Sequence, residues 1–388
     1  MSITVDAPTS RSRLGKQFIR SALGLAAFAL ASSVLATPGP ARPAVAKAAA
    51  AIAKAPRVQI IVVALDGARF REVFEGVDPV LAKREGLAEA RIQDAPVLMP
   101  RLHALLRSSG AALGAPGHGA PISASGPDFV SLPGYSEIFS GRRVTGCVNN
   151  YCKGISAPSI ADELAQAPQG FRSAVITSWA DIARVAAKSG RVAVSAGRHA
   201  GDTRQRFERD HGVASALHRA EPEAPWPGNA DFRRDRFTAA LALAYLKAEQ
   251  PDFLFVGLGE TDEFAHQGNY AGYLDALKEA DQHVGELSEA LAERAAQGAR
   301  TALIVTADHG RAAGFVDHGR PFPESARVWL VAAGSAIEAR GLVASPTPRR
   351  LADIAPTLRT LFGLPADRDE NAGTPLVELL RLTERAGG

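Results

Sequence analysis

The chain contains 388 residues, of which 46% are hydrophobic and 22% are charged, and its formal net charge is +3. This composition is ordinary for a soluble globular protein and excludes disorder along the whole chain. Residues 1–36 hold four of the basic residues and one acidic residue, so the remainder is formally neutral. Without a positive field or a Lys/Arg-rich stripe, no nucleic-acid-binding surface is expected.

The first 36 residues have the layout of a secretory signal peptide. Four basic residues lie between positions 11 and 20, and an apolar run from Ala22 ends at the small-residue site Val34-x-Ala36. That run is short for a membrane span of roughly 20 residues, so a cleaved signal is favoured over an uncleaved anchor. We therefore expect a periplasmic or secreted protein that meets the membrane only through residues 1–36, followed by a Pro/Ala-rich linker over residues 37–56.

From residue 58 onward, short β-branched runs alternate with amphipathic helical segments. Continuous apolar runs indicate strands buried on both faces, as in a parallel sheet covered by helices. The predicted strands are residues 58–65, 173–178, 191–196, 253–259, 301–307 and 327–333, and the longest predicted helices are residues 236–249 and 270–297. This pattern predicts one α/β domain over residues 57–388, a three-layer sandwich with a mostly parallel central sheet. Residues 199–235 interrupt the alternation and are predicted to form a surface insertion or cap.

Three of the predicted strands end in a carboxylate. Asp66 follows the first strand, Asp262 and His266 follow the strand over residues 253–259, and Asp308 and His309 follow the strand over residues 301–307. Each could be a turn residue, a helix cap or a loop histidine. However, ligand groups collect beyond the carboxyl ends of strands in α/β sheets, and carboxylates crowded there need a cation. Mixed Asp/His ligands suit a divalent metal, with zinc expected and manganese as the alternative.

Two further segments add candidate residues. Ser131 begins a helix-like stretch and is either an ordinary helix cap or, beside metal ions, a nucleophile. Cys147 and Cys152 are the only cysteines, and in an exported protein the pair is expected to form a local disulfide, with two reduced thiols as the alternative.

The segments together resemble the alkaline phosphatase superfamily of two-metal hydrolases, in particular its nucleotide pyrophosphatase/phosphodiesterase-like branch. The matching segments are "VVALDG", "VSLPGYSEIFSG", "GETDEFAHQG", "VTADHG", "DHGR" and "DIAPTLRTLFGLP", in the family's order from about residue 58 to 365. Two departures stand out. Ser131 replaces the threonine usual in that branch, and Gly134-Tyr135 replaces its more familiar Asn-His.

The resemblance implies a ligand set and a mechanism. Asp66, Asp308 and His309 would hold one metal, touched by Ser131. Asp262, His266 and His318 would hold the second, with Asp317 a neighbouring or plain surface residue. Ser131 would attack phosphorus and form a phosphoseryl intermediate, and Asn149 or Asn150, near the cysteine pair, would hold a phosphoryl oxygen. The implied activity is phosphodiester or phosphomonoester hydrolysis.

Alternatives of other kinds stay open. Sulfatases and phosphonate ester hydrolases share the implied fold, but Tyr135 stands where a sulfatase's modification motif requires arginine. Phosphosugar mutases share it too, although their substrates are cytosolic. A catalytically silent binding protein is the alternative of a different class, and metal analysis would distinguish it.

Overall fold

The central element of the fold is an eight-stranded, mostly parallel sheet, seen in a computed structural model that describes residues 58–154, 156–197 and 232–381. The strands are β1 (Val58–Leu65), β2 (Gly110–Leu113), β3 (Ile122–Ser123), β4 (Ser173–Thr177), β5 (Ala193–Ala196), β6 (Phe253–Leu258), β7 (Arg300–Thr306), β8 (Arg327–Val328), β9 (Leu330–Ala333), β10 (Gly341–Leu342) and β11 (Arg349–Arg350). The large sheet has the order β10-β2-β9-β7-β1-β6-β4-β5, and β11-β3-β8 form a second, small sheet.

Helices cover the sheet, with a few 3₁₀ turns between the elements. The α-helices are α1 (Phe70–Phe74), α2 (Pro79–Arg84), α3 (Ala95–Leu98), α4 (Pro100–Ser108), α5 (Ser131–Ser140), α6 (Ile160–Gln166), α7 (Ala183–Ala186), α8 (Asp235–Glu249), α9 (Glu260–His266), α10 (Tyr270–Ala296) and α11 (Ile354–Phe362). None of the described helices is both long and apolar enough to span a membrane.

Five neighbouring strands, β7, β1, β6, β4 and β5, are parallel to one another. Strand β1 lies between β6 and β7, and its residues after Val58 are completely buried, as are most residues of the other central strands. Burial on both faces explains why these strands read as unbroken apolar runs in the sequence. The α/β architecture with a mostly parallel sheet is thus confirmed.

The predicted strand over residues 327–333 needs correction. The chain breaks it at Trp329 into β8, which joins the small sheet, and β9, which runs antiparallel to β7. Trp329 is completely buried, and its indole Nε1 donates a hydrogen bond to the carbonyl of Ala68 at 2.9 Å. An apolar run reveals burial but not strand direction, and the sequence also gave no sign of the short strands β2, β3, β10 and β11.

Candidate metal centre

Three adjacent strands deliver the carboxylates to one edge of the sheet. Asp66 directly follows β1 and its amide donates to the carbonyl of Leu258 at the end of β6. Asp308 follows β7, and Asp262 lies in α9, which begins two residues after β6. Gly67 has a positive φ of 59°, and a Cβ there would lie 2.5 Å from Asp262 Oδ1. Glycine at position 67 therefore lets the chain turn sharply after Asp66 and leaves room for the Asp262 carboxylate to approach the backbone.

The first ligand group consists of Asp66, Asp308 and His309, whose ligand atoms all lie within 4.8 Å of one another. His309 Nε2 is 3.3 Å from Asp66 Oδ1 and 3.6 Å from Asp308 Oδ2. The Gly67 amide donates to Asp308 Oδ1, but the buried Oδ2 has no hydrogen-bond partner. A buried carboxylate oxygen without a partner is costly, and a cation would satisfy it.

The pKa shifts of this group reflect burial and crowded negative charge, which a cation would offset. Burial, and then the charge of Asp262, raise the pKa of Asp66 to about 7. Burial and the Asp66 charge raise the pKa of Asp308 well above its ordinary range. Burial lowers the pKa of His309 to about 4, so its imidazole is neutral. Its Nδ1 lies 2.8 Å from the Gly310 carbonyl, which assigns the proton to Nδ1 and leaves the Nε2 lone pair for a metal.

The second candidate group is Asp262, His266 and His318, the set that the family resemblance implies. The ligand atoms that lie within 4.8 Å of one another at this point are those of Asp262, His309 and His318. Asp262 and His266 lie four residues apart on one face of α9, with Oδ2 and Nε2 3.0 Å apart. His318 Nε2 lies 3.0 Å from His266 Nε2 and 3.8 Å from Asp262 Oδ1. The His318 Nδ1 contacts the Phe129 carbonyl at 2.9 Å, so its Nε2 also presents a lone pair. The His309 and His318 rings stack with centroids 4.0 Å apart, so the two groups adjoin.

Arg311 supports the second group, and its role was not identified from the sequence. Its Nη1 pairs with Asp262 Oδ1, while Nε and Nη2 donate to the carbonyls of Phe315 and Val316. Although burial raises the pKa of Asp262, the Arg311 guanidinium holds it well below its usual range. The position of Arg311 directly after the Asp-His-Gly motif was the available signal, but only the fold shows which carboxylate it meets.

Ser131 is the first residue of α5 and its side chain reaches the first group. Its Oγ lies 3.3 Å from Asp66 Oδ1 and 3.3 Å from His309 Nε2. The residue is buried, and it lines a cavity of about 180 Å³ that we call the serine cavity. The walls of the serine cavity include Asp262, His266, Asn150, Glu263, Trp179 and Phe232.

Gly134 and Tyr135, which replace the Asn-His pair of the resembled family, both lie against the first ligand group. A Cβ at Gly134 would lie 2.2 Å from the backbone oxygen of Asp308, so only glycine lets α5 approach the first group so closely. The buried Tyr135 hydroxyl donates to Asp66 Oδ2 at 3.2 Å. Tyr135 thereby orients a candidate metal ligand, a role that the sequence did not suggest.

The structure separates the two candidate asparagines. Asn150 lines the serine cavity, and its Oδ1 accepts from the Leu132 amide at 2.9 Å. Asn149 is exposed, and its Oδ1 instead accepts from the Tyr151 amide within its own turn. The cysteines on either side of these residues, Cys147 and Cys152, form a disulfide with Cα atoms 5.3 Å apart.

Glu263 is a third residue that sequence reasoning missed, after Arg311 and Tyr135. It is half-buried in the wall of the serine cavity, next to Asp262 on α9. Burial, followed by the charges of Asp262 and Asp66, raises its pKa to about 7. By contrast, Asp317 is exposed, and its backbone carbonyl accepts a hydrogen bond from the Ala312 amide.

Part of the chain is similar to known proteins. Residues 230–366 match the model of the Metalloenzyme superfamily. That segment contains Asp262, His266, Asp308, His309 and His318.

A 2,3-bisphosphoglycerate-independent phosphoglycerate mutase from Cereibacter sphaeroides is 36% identical over 131 residues, which are 33% of this chain and 24% of the mutase. A phosphopentomutase from Herpetosiphon aurantiacus is 31% identical over 123 residues, 31% of this chain and 29% of that protein. The chain thus spans about a quarter of the curated relatives it matches.

Solved structures show the fold. The alkaline phosphatase PafA superposes with a TM-score of 0.55 at 10% identity, covering 84% of this chain and 99% of PafA. A putative sulfatase from Bacteroides thetaiotaomicron superposes with a TM-score of 0.53 at 14% identity. The match covers 82% of this chain and 74% of the sulfatase. The fold is alkaline phosphatase-like.

Proposed function

We propose that this chain is an exported two-metal phosphoester hydrolase, of the phosphodiesterase-like kind, that acts through a phosphoseryl intermediate on Ser131. The observation that carries the proposal is the Ser131 hydroxyl. It begins a buried helix 3.3 Å from both an aspartate and a histidine of the first ligand group, and it opens onto a cavity. A structural serine at a helix start would need neither neighbour.

The residues present suit two divalent cations, one in each ligand group. Bound there, such ions would lower the pKa of a hydroxyl or water and neutralise charge on the reacting oxygens. Ser131 Oγ forms a bond to phosphorus, the bond from phosphorus to the leaving oxygen breaks, and the departing alcohol takes a proton. Water then cleaves the Ser131–phosphorus ester and restores the hydroxyl. Asn150 supports this assignment because its Nδ2 has no acceptor among the described residues and can donate to a phosphoryl oxygen.

Charge in the serine cavity favours a monoanionic diester over a dianionic monoester. No lysine or arginine among the residues described in the structure lines it, whereas Glu263 adds a carboxylate. The arginines near the motifs do not line this cavity. Arg69, Arg142 and Arg320 pair with carboxylates elsewhere, and Arg143 lines another cavity. Arg311 pairs with Asp262 in the cavity wall. Trp179 and Phe232 supply an apolar wall that suits a flat leaving group.

Rates on four nitrophenyl compounds test this proposal. With zinc or manganese, we expect bis-nitrophenyl phosphate to turn over faster than nitrophenyl phosphate, a nitrophenyl phosphonate ester or nitrophenyl sulfate. Ser131→Ala should abolish turnover while keeping its metal, because its hydroxyl is the attacking group. Ser136→Ala is the matched control, since this buried hydroxyl of the same helix donates to the Leu132 carbonyl and contacts Cys147 Sγ, and neither is a residue of the two ligand groups. Full activity of Ser131→Ala would reject the nucleophile.

The mutase relatives make phosphoryl transfer between two hydroxyls the competing reaction. A hydrolase releases inorganic phosphate or a phosphate monoester to solution, whereas a mutase returns the phosphoryl group to its substrate. Following 2-phosphoglycerate by phosphorus NMR distinguishes the two, and formation of 3-phosphoglycerate without free phosphate would favour the mutase.

Export rests on residues 1–36, which lie outside the described residues, and mass spectrometry of the mature amino terminus tests it.

A further inference from the structure

A second cavity lies beside the metal centre, and we call it the Arg327 cavity. Its volume is about 390 Å³, within the usual range of small-molecule sites. It shares no lining residue with the serine cavity, although one wall contains Arg311 and Gly310, directly after His309. A ligand here would therefore lie outside the site of phosphoester chemistry.

Arg327 is the arginine of this cavity that has no acidic partner among the described residues. Its guanidinium lies over the Phe70 ring, with Cζ 3.7 Å from the ring centroid. Its buried Nε has no hydrogen-bond acceptor, and it forms no ion pair with the described residues. The three other arginines of the cavity differ, since Arg69 and Arg71 both pair with Asp78 and Arg311 pairs with Asp262. A stacked arginine with unused donors is well suited to a carboxylate, sulfonate or phosphate group.

The mouth of the same cavity is apolar. Val80 is 72% exposed, which makes it one of the most exposed large hydrophobic side chains of the described residues, and it lines the cavity together with Ala312 and Ala313. Glu324 is the acidic group at this rim, where it is exposed and accepts a hydrogen bond from the Ala313 amide. Charge at one end and apolar surface at the other define an amphipathic ligand.

We propose that the Arg327 cavity binds an organic anion, with its acid group on Arg327 and its apolar body against Val80 and Ala313. The site is separate from the reaction at Ser131 and does not depend on the proposed hydrolase activity. No partner macromolecule is required, because the cavity is concave and of small-molecule size.

Isothermal titration of the metal-loaded chain with naphthalene-2-sulfonate tests the proposal. We expect one binding site, weakened at least about tenfold in Arg327→Met, because a charge-assisted hydrogen bond is lost. Arg340→Met is the matched control, since Arg340 is exposed and does not line this cavity, and its affinity should equal that of the wild type. The neutral naphthalene-2-methanol should bind at least about tenfold more weakly than the sulfonate.

A second variant keeps the test independent of the stability of Arg327→Met. Ala313→Trp fills the mouth from an exposed position and should abolish binding without removing any side-chain contact. Unchanged affinity in either variant, or equal affinity for the neutral alcohol, would overturn the proposal.

Discussion

The two ligand groups differ in how the protein treats their negative charge. In the first group, Asp66 and Asp308 are buried together, and the Asp308 Oδ2 oxygen has no partner. In the second, Arg311 already pairs with Asp262, and the His266 side chain is 42% exposed. The first group therefore depends on a cation for its charge balance, whereas the second is partly neutralised by the fold. We expect a tightly held ion in the first group and a more exchangeable ion in the second.

Asp308→Asn should have the largest effect on this contrast. The amide keeps the hydrogen bond from Gly67 but removes the charge, so the first ion should be lost and turnover should fall at least about a thousandfold. In a chelator the same variant should unfold at higher urea concentration than the wild type, because an unpartnered buried carboxylate is gone. Metal analysis and urea unfolding measure the two effects. A variant that kept its metal, or was destabilised in chelator, would contradict the account of the first group.

His266→Ala tests the second ligand group, whose ion is expected to exchange more readily. Removing one ligand of the exposed group should weaken its ion by about ten- to a hundredfold, and millimolar zinc or manganese should restore much of the turnover. Turnover against metal concentration is the measurement. His283→Ala is the control, since His283 pairs only with Glu286 on the surface of α10. Loss of activity that no metal concentration restores would mean that the ion is not exchangeable.

Substitution of the two neighbouring asparagines, Asn149 and Asn150, tests which of them acts in the serine cavity. Asn150→Ala should lower kcat/KM by about ten- to a hundredfold, because it removes a donor into the serine cavity. Asn149→Ala should leave kcat/KM within about twofold, because its side chain closes only its own turn. Steady-state kinetics on bis-nitrophenyl phosphate measure both effects. Equal effects of the two substitutions would reject the role of Asn150 as a donor to the substrate.

The smallest expected effect is on the pH dependence of stability, through Glu137. Unlike Asp308, this buried carboxyl group has hydrogen-bond donors at both oxygens. Burial raises the pKa of Glu137 to about 7, against an ordinary value of 4.5, although Ser125 and Ala352 donate hydrogen bonds to it. Because the folded chain favours the protonated form, this group's contribution to stability is complete below pH 4.5 and is lost as the pH rises through 7. Relative to Glu137→Gln, the wild type should lose up to about 3 kcal/mol of unfolding free energy from pH 4.5 to 8. Urea titrations in chelator measure it, and parallel pH profiles would refute the shifted pKa.

The sequence was most informative where burial and strand ends leave a direct pattern. The apolar runs predicted the central strands because those strands are covered on both faces, and the residues after β1, β6 and β7 indicated Asp66, Asp262 and Asp308. Strand direction left no such pattern, which is why residues 327–333 were assigned to one strand. The ion pair of Arg311 with Asp262 and the hydrogen bond of Tyr135 to Asp66 join distant parts of the chain, so only the fold could show them.

Crystals of the zinc-loaded chain, with anomalous diffraction recorded at the zinc edge, test the central claim most directly. The account predicts two peaks in each chain, one within about 2.2 Å of the ligand atoms of Asp66, Asp308 and His309, and a weaker one beside Asp262, His266 and His318. A single peak, or ions bound away from these six side chains, would contradict it.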